Sequence, residues 1–262
     1  MEQARYGEIR QGNAVLIFVT EDFSTKKLVK LDDPATTNEK LRVLKLNMTK
    51  SFNTGIYPYS MMLSVFTPAD ANGNAQTLKV ASSSQEWCGH TFSQLELKAD
   101  QYNYKLHSYF EKEGEQDIKL ENALLEDEIW TRIRLNPDSL PTGKVQMLPG
   151  LLWQRLSHHP LKAEEALLTL NNGDEKQLNT TTIRSYTINY PALKRTLKIF
   201  FSTTFPFQIM SWEESYEDGF GSNKKMLTTR ASLKKTIWLD YWKHNTLADA
   251  PYRDSLQLNN HE

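Results

Sequence analysis

Apolar and polar residues alternate one by one through most of the chain. In residues 43–49, Leu44, Leu46 and Met48 interleave with Val43, Lys45, Asn47 and Thr49; in residues 196–201, Leu197, Ile199 and Phe201 interleave with Thr196, Lys198 and Phe200. A period of two sends successive side chains to opposite faces of an extended chain, so these stretches predict strands. The same pattern predicts strands over residues 6–11, 14–21, 57–66, 76–88, 91–98, 102–111, 144–148, 152–158, 164–170, 182–190, 206–216 and 226–242. Between them, "DANGNA" (residues 70–75), "NNGDEK" (171–176) and "EDGFGSNKK" (217–225) gather the Gly, Asn and Asp that tight reversals between antiparallel strands require.

One segment breaks the alternation. In "NALLEDEIWTRIRLNP", Leu125, Ile129 and Ile133 recur every four residues, which predicts a helix over residues 122–135, beginning near Ala123. Asn122 is placed to cap it, Glu126, Asp127 and Glu128 lie toward its positive end, Arg132 and Arg134 toward its negative end, and Pro137 follows. From Leu247 onward neither period is present, so residues 247–262 are expected to form a poorly ordered tail to a single β-rich domain of residues 1–246. The fold class implied is mainly β: a large antiparallel meander curled into an open or closed barrel, half-barrel-like, with one principal α-helix against its concave face or rim. A two-sheet β-sandwich is the alternative, because both architectures alternate inward and outward residues.

Composition narrows the function classes. A 262-residue chain that is 39% hydrophobic and 11% aromatic can bury a large core, which excludes wholesale disorder. With 31 basic against 32 acidic residues there is no overall field to attract nucleic acid, and no nucleic-acid partner is expected. The longest apolar run, "AVLIFV" in residues 14–19, has the length of a strand, so no transmembrane segment is expected. A lone cysteine, Cys88, rules out a disulfide scaffold.

That cysteine sits in the most chemically loaded stretch, "SSSQEWCGHTF" (residues 82–92). If the strand from Gln76 runs unbroken, Leu78, Val80, Ser82, Ser84, Glu86, Cys88 and His90 share one face, with Thr77, Lys79, Ala81, Ser83, Gln85 and Trp87 on the other. The small Ser82 and Ser84 would leave room inside a barrel, and Glu86, Cys88 and His90 would converge beside it, as in a ligand cavity oriented by a few polar groups. The candidate ligand-binding set is therefore Ser82, Ser84, Glu86, Cys88 and His90. Glu86, Cys88 and His90 are also the candidate catalytic set, with Cys88 as thiol nucleophile and His90 as base, or three ligands of a metal ion. Against these stands a purely structural reading: Trp87 and Phe92 as core aromatics, Cys88 as a small buried hydrophobe, and Gly89 as a bulge or hairpin that resets the register. No oxyanion motif accompanies the pair and no second ligand pair is spaced for a metal, so no cofactor is expected.

Other candidates are weaker. His158 and His159 would point to opposite faces of a strand, His107 is out of phase with its apolar neighbours, Glu213 and Glu214 lie on opposite faces, and the acidic run 126–128 reads first as a helix N-terminal feature. No Walker loop, dinucleotide fingerprint, nucleophile elbow or His-Glu-x-x-His helix occurs.

The stretches "ARYGEIRQGNAVLIFVTEDFS", "VLKLNMTKSFNTGIYPYSMMLSVF", "SSQEWCGH", "HSYFE" and "LDYWKHN" together resemble a family of exported proteins and lipoproteins of Bacteroidetes and related Gram-negative bacteria. The resemblance implies a cell-envelope location, periplasmic or membrane-anchored through an upstream segment missing from this chain, and fits the abrupt start "MEQARYGEIR". A more distant resemblance, carried by "RTLKIFFSTTFPFQIMSWEES" in residues 195–215, is to a periplasmic group and through it to the half-barrels of the lipoprotein carriers LolA and LolB. It implies that the helix covers a concave apolar face able to accept an acyl chain. The functional expectation is an envelope binding or structural protein with a cavity for a lipid or other amphiphile. The alternatives are a hydrolase or thiol-dependent enzyme centred on Cys88 and His90, and a scaffold for another envelope protein.

Overall fold

The computed structural model describes residues 1–36, 38–69, 76–173 and 182–258. Along the first half of the chain run β1 (Glu2–Arg5), β2 (Glu8–Ser24), β3 (Lys40–Thr54), β4 (Tyr57–Pro68), β5 (Lys79–Glu86), β6 (Gly89–Lys98), β7 (Gln101–Ser108) and β8 (Gln116–Leu120). Then come β9 (Leu124–Leu125), α1 (Ile129–Leu135), β10 (Gly143–Leu148) and α2 (Leu151–Ser157), followed by β11 (Glu164–Asn171), β12 (Ile183–Tyr190), β13 (Arg195–Ser202), β14 (Ile209–Asp218), β15 (Lys225–Ser232) and α3 (Pro251–Ser255). All fifteen strands belong to one sheet in the order β8-β7-β6-β5-β4-β3-β2-β1-β15-β14-β13-β12-β11-β10-β9. Pairing is antiparallel except between β9 and β10, and the sheet does not close. The open meander is therefore the architecture, and the two-sheet sandwich is not.

Two meanders meet in the middle of this sheet, where β1 pairs with β15 through a single register position, Glu2↔Arg230. Side chains reinforce that short ladder: Thr229 Oγ1 accepts from Gln3 Nε2 at 3.1 Å and from the Ala4 amide at 3.0 Å. Tyr216 donates to the Ala4 carbonyl at 3.1 Å, and Asp218 accepts from the Gly7 amide at 2.7 Å. At the far ends, the two edge strands β8 and β9 are consecutive in the chain, joined only by residues 121–123. Laid flat, fifteen strands at about 4.8 Å spacing would be roughly 67 Å wide. The four steps from Leu120 to Leu124 reach about 14 Å at full extension. The sheet has to curl.

Inside the curl, α1 packs on β3 and β4, and α2 on β4 and β5. The segment from β9 to the end of α2 plugs the concavity, and a continuous core runs from Leu46, Met48, Leu63 and Val65 through Ile129, Ile133, Leu151 and Leu152 to Ile188, Leu197 and Ile199.

Several expectations are corrected here. The helix expected over residues 122–135 is shorter: Leu124 and Leu125 are taken by the sheet, pairing with Met147 and Leu148, and helical structure starts only at Ile129. Of residues 152–158, expected as a strand, 152–157 lie within α2 and His158 caps it; Leu151, Leu152, Trp153, Gln154, Arg155 and Leu156 are all buried. A helix buried all round carries no amphipathic stripe, which is why its sequence imitates a strand. Among the described residues there are thus three short α-helices in place of one principal helix. The strand expected to reach residue 242 ends at Ser232, and residues 247–249 and α3 are helical where an irregular tail was expected. "EDGFGSNKK" connects β14 to β15 as a hairpin; "DANGNA" and the second half of "NNGDEK" lie outside the described residues.

Candidate functional site

The opening half of the site strand is as the alternation requires: Val80, Ser82 and Ser84 face inward and are buried, while Gln85 is exposed. Ser82 bonds across to Ser93 at 2.8 Å, and Ser84 Oγ is buried without a hydrogen bond. The room these serines leave is taken up by α2, which packs on β5. Beyond Glu86 the common face ends. Trp87 and Cys88 form a two-residue turn, Glu86 pairs with Gly89, and His90 pairs with Gln85 on the exposed outer face. Glu86 sends its carboxylate inward, Cys88 is exposed at the tip, and His90 points outward, so the three do not converge. Gly89 is what resets the register: its φ is 158°, and a Cβ there would lie 2.6 Å from the Tyr109 ring. The exposed Cys88 and Trp87 also differ from the buried roles that the structural reading gave them.

What the hairpin does is bring Glu86 into a cluster at one end of the sheet. One Glu86 oxygen accepts from the Cys88 amide at 2.5 Å, and the other lies 3.5 Å from Arg155 of α2. The hydrogen-bonded Glu86 carboxylate raises the Cys88 thiol above its ordinary range, the reverse of what a nucleophile needs. Arg155 stacks over Phe110 at 4.6 Å and approaches His158, whose Nδ1 meets Glu113 at 2.5 Å. Burial pushes Glu113 up, but His158 and Ser108 together hold it below its ordinary value. His158 reaches this place from the left-handed C-cap of α2, with φ 55°, and not from a strand.

Next to Arg155 lies a second buried guanidinium, Arg5. It donates to the Leu156 carbonyl at 2.6 Å and to the hydroxyls of Tyr59 and Tyr6 at 3.0 and 3.2 Å. No carboxylate lies within salt-bridge distance of it among the described residues. Burial opposes its charge, yet Tyr59 and Tyr6 lift it above the usual guanidinium value. Tyr6 bonds in turn to Tyr57, and the Tyr57 ring stacks with Trp87 at 6.2 Å, while Phe220 stands 6.0 Å from Tyr6. Ile56, Trp87, Tyr109 and Phe220, between 56% and 84% exposed, crown this end.

A second cluster lies in the core, where plug meets sheet. Arg195 of β13 binds Glu126 through two hydrogen bonds of 2.5 and 2.6 Å and Glu214 of β14 through bonds of 3.0 and 2.7 Å. Burial works against this cation, but Glu126 and then Glu214 hold its pKa well above the ordinary value. Asp127 accepts from the Leu151 amide at 3.0 Å and so caps α2; burial, with Glu126 beside it, pushes its carboxyl up to about 7. Gly150 makes this approach possible, since a Cβ there would sit 2.6 Å from Glu126 Oε1. Lys50 of β3 completes the ring. It is 6% exposed, its pKa is lowered by burial, and among the described residues it has neither a hydrogen bond nor a carboxylate within 4 Å; its Nζ lies 5.9 Å from the Trp212 ring centre. A void of about 30 Å³ separates these groups, bounded also by Met48, Leu63, Trp130 and Leu197.

Sequence reasoning missed both clusters. Arg5 ends β1, Tyr6 lies in the turn after it, and Tyr57 and Tyr59 are alternate residues of β4, so no local pattern links the two pairs; Glu126 and Asp127 were visible only as an acidic run assigned to a helix end. No group of three His, Cys, Asp or Glu side chains among the described residues is arranged to hold a metal ion. No family model, no curated protein and no solved structure matches the chain.

Proposed function

We propose that the protein is a cell-envelope binding protein that engages an amphiphilic, lipid-like partner through the aromatic end of its sheet. One observation carries this reading: Ile56, Trp87, Tyr109 and Phe220 stand exposed together over the Arg5–Tyr6–Tyr57–Tyr59 network. Single exposed apolar side chains are ordinary on a soluble protein, whereas a contiguous group marks an interaction surface. Trp and Tyr favour the zone where lipid head groups meet hydrocarbon, with a polar tip in the wet layer and the ring below it. With the plug in place the void between plug and sheet, about 30 Å³, holds one or two waters, so in this state an apolar partner meets the protein at its surface.

The test is sedimentation with phosphatidylcholine and mixed phosphatidylcholine–phosphatidylglycerol vesicles. The wild-type protein is expected in the pellet with a blue-shifted tryptophan emission. The double variant Ile56→Ser, Trp87→Ser is expected in the supernatant with an unchanged melting temperature, because both side chains are solvent-exposed. Wild-type protein that stays in the supernatant with both vesicle types overturns the proposal.

A further inference from the structure

The plug meets the sheet through charges, and the two sides are not alike. From the sheet come Arg195, Lys50 and Glu214, two cations against one carboxylate; from the turn before α1 come Glu126 and Asp127. We propose that Arg195 and Lys50 form a binding site for the carboxylate of a long-chain amphiphile, and that Glu126 of the plug occupies the place of that carboxylate. The inference rests on the amphiphile reading above and names a ligand class for the interior.

Three observations carry it. The first is the grip itself: Arg195 holds Glu126 by two nearly parallel hydrogen bonds, the geometry that a planar guanidinium offers to any carboxylate, whether on a side chain or on a ligand. The second is unused capacity. Lys50 lines the void with its donors unpaired although it is almost wholly buried, so the wall can bind more oxygen than the plug supplies. The third is the surrounding wall of Met48, Leu63, Leu197 and Trp212, which is apolar and suited to a tail once a head group is anchored.

Withdrawal of the plug is within reach of such a ligand. Both α1 and α2 have seven residues, too short to persist except by packing. Withdrawal also uncovers the apolar core that the plug shares with the sheet, and the chain of the ligand takes the place of the plug's side chains against it. With Glu126 and Asp127 withdrawn, the wall keeps a net positive charge, which selects an anionic head group over a cationic one.

Binding of monomeric dodecanoate by titration calorimetry, with dodecyltrimethylammonium as control, tests the proposal. Glu126→Gln retains the volume and loses the competing charge, and is expected to bind dodecanoate at least about tenfold tighter than wild type. Lys50→Gln is expected to bind at least about tenfold more weakly, with neither variant taking up the cationic control. A folded Glu126→Gln no tighter than wild type overturns the site; should that variant not fold, wild-type affinity in Lys50→Gln does so. Vesicle association without dodecanoate binding sinks this inference alone, while dodecanoate binding without vesicle association sinks the surface reading and leaves the site standing.

Discussion

Arg195 and Glu126 are 69 residues apart in sequence and share two buried hydrogen bonds of 2.5 and 2.6 Å. Removing one partner strands the other charge away from water, which typically costs about 3–5 kcal/mol. Glu126→Ala should lower the unfolding free energy by that order, measured by urea denaturation. The double variant Glu126→Ala, Arg195→Met should recover part of the loss, since no isolated charge remains; a double variant as unstable as the sum of the two single ones would contradict the pairing.

Asp127 sets a pH dependence. Its folded pKa of about 7 lies above the roughly 3.9 of an unfolded aspartate, so between those values the folded state binds more protons. Its contribution is complete below pH ~4 and is lost as pH rises to ~7, an effect on the order of 4 kcal/mol. Asp127→Asn removes the titration, so its stability relative to wild type should improve as pH rises from 4 to 8. A difference that is flat across that range would count against the assignment.

Gly150 adopts an ordinary helical-entry conformation, with φ −60°, so its requirement is space and not backbone freedom. Gly150→Ala places a methyl against the Glu126 and Asp127 carboxylates. Overpacking of this kind costs about 1–3 kcal/mol, and a calorimetric melting temperature lower than wild type is the expected result.

Cys88 should alkylate slowly despite its exposure. The Glu86 carboxylate raises the thiol, so the pH midpoint for iodoacetamide reaction should lie above that of a free cysteine, and Glu86→Gln should bring it back. His90→Ala should leave the profile alone, because its ring lies on the outer face. A midpoint below that of free cysteine would reopen the thiol-enzyme alternative.

Thr229 accepts from both Gln3 and Ala4 where the two meanders meet. Thr229→Val keeps the shape and leaves the buried Ala4 amide short of an acceptor, while Gln3 keeps the Ala4 carbonyl and the Tyr216 hydroxyl, a loss of about 1–3 kcal/mol. Hydrogen exchange at Ala4 should accelerate more than at Leu46, in the interior of β3.

The sheet was legible in the sequence because alternation survives wherever one face is wet. In β5, Val80, Ser82 and Ser84 face inward as the period demands. The signal failed inside the concavity: around Leu152 and Leu156 every direction is buried, so no period separates helix from strand. It failed again at Gly89, where one two-residue turn sends His90 to the outer face and leaves only Cys88 beside Glu86. The clusters around Arg5 and Arg195 depend on contacts between residues more than fifty positions apart, and no local pattern records them.

The three residues between β8 and β9 make the open edge a slit with a covalent stay across one point. However the two meanders breathe, Leu120 and Leu124 cannot part by more than about 14 Å; half a strand spacing on each side leaves a gap of about 9 Å, less than the diameter of one helix. Near that stay, an acyl chain can pass between the edges, and an α-helix or a folded domain cannot. The chain thus carries its own size limit at that point, set by a count of residues and not by any side chain.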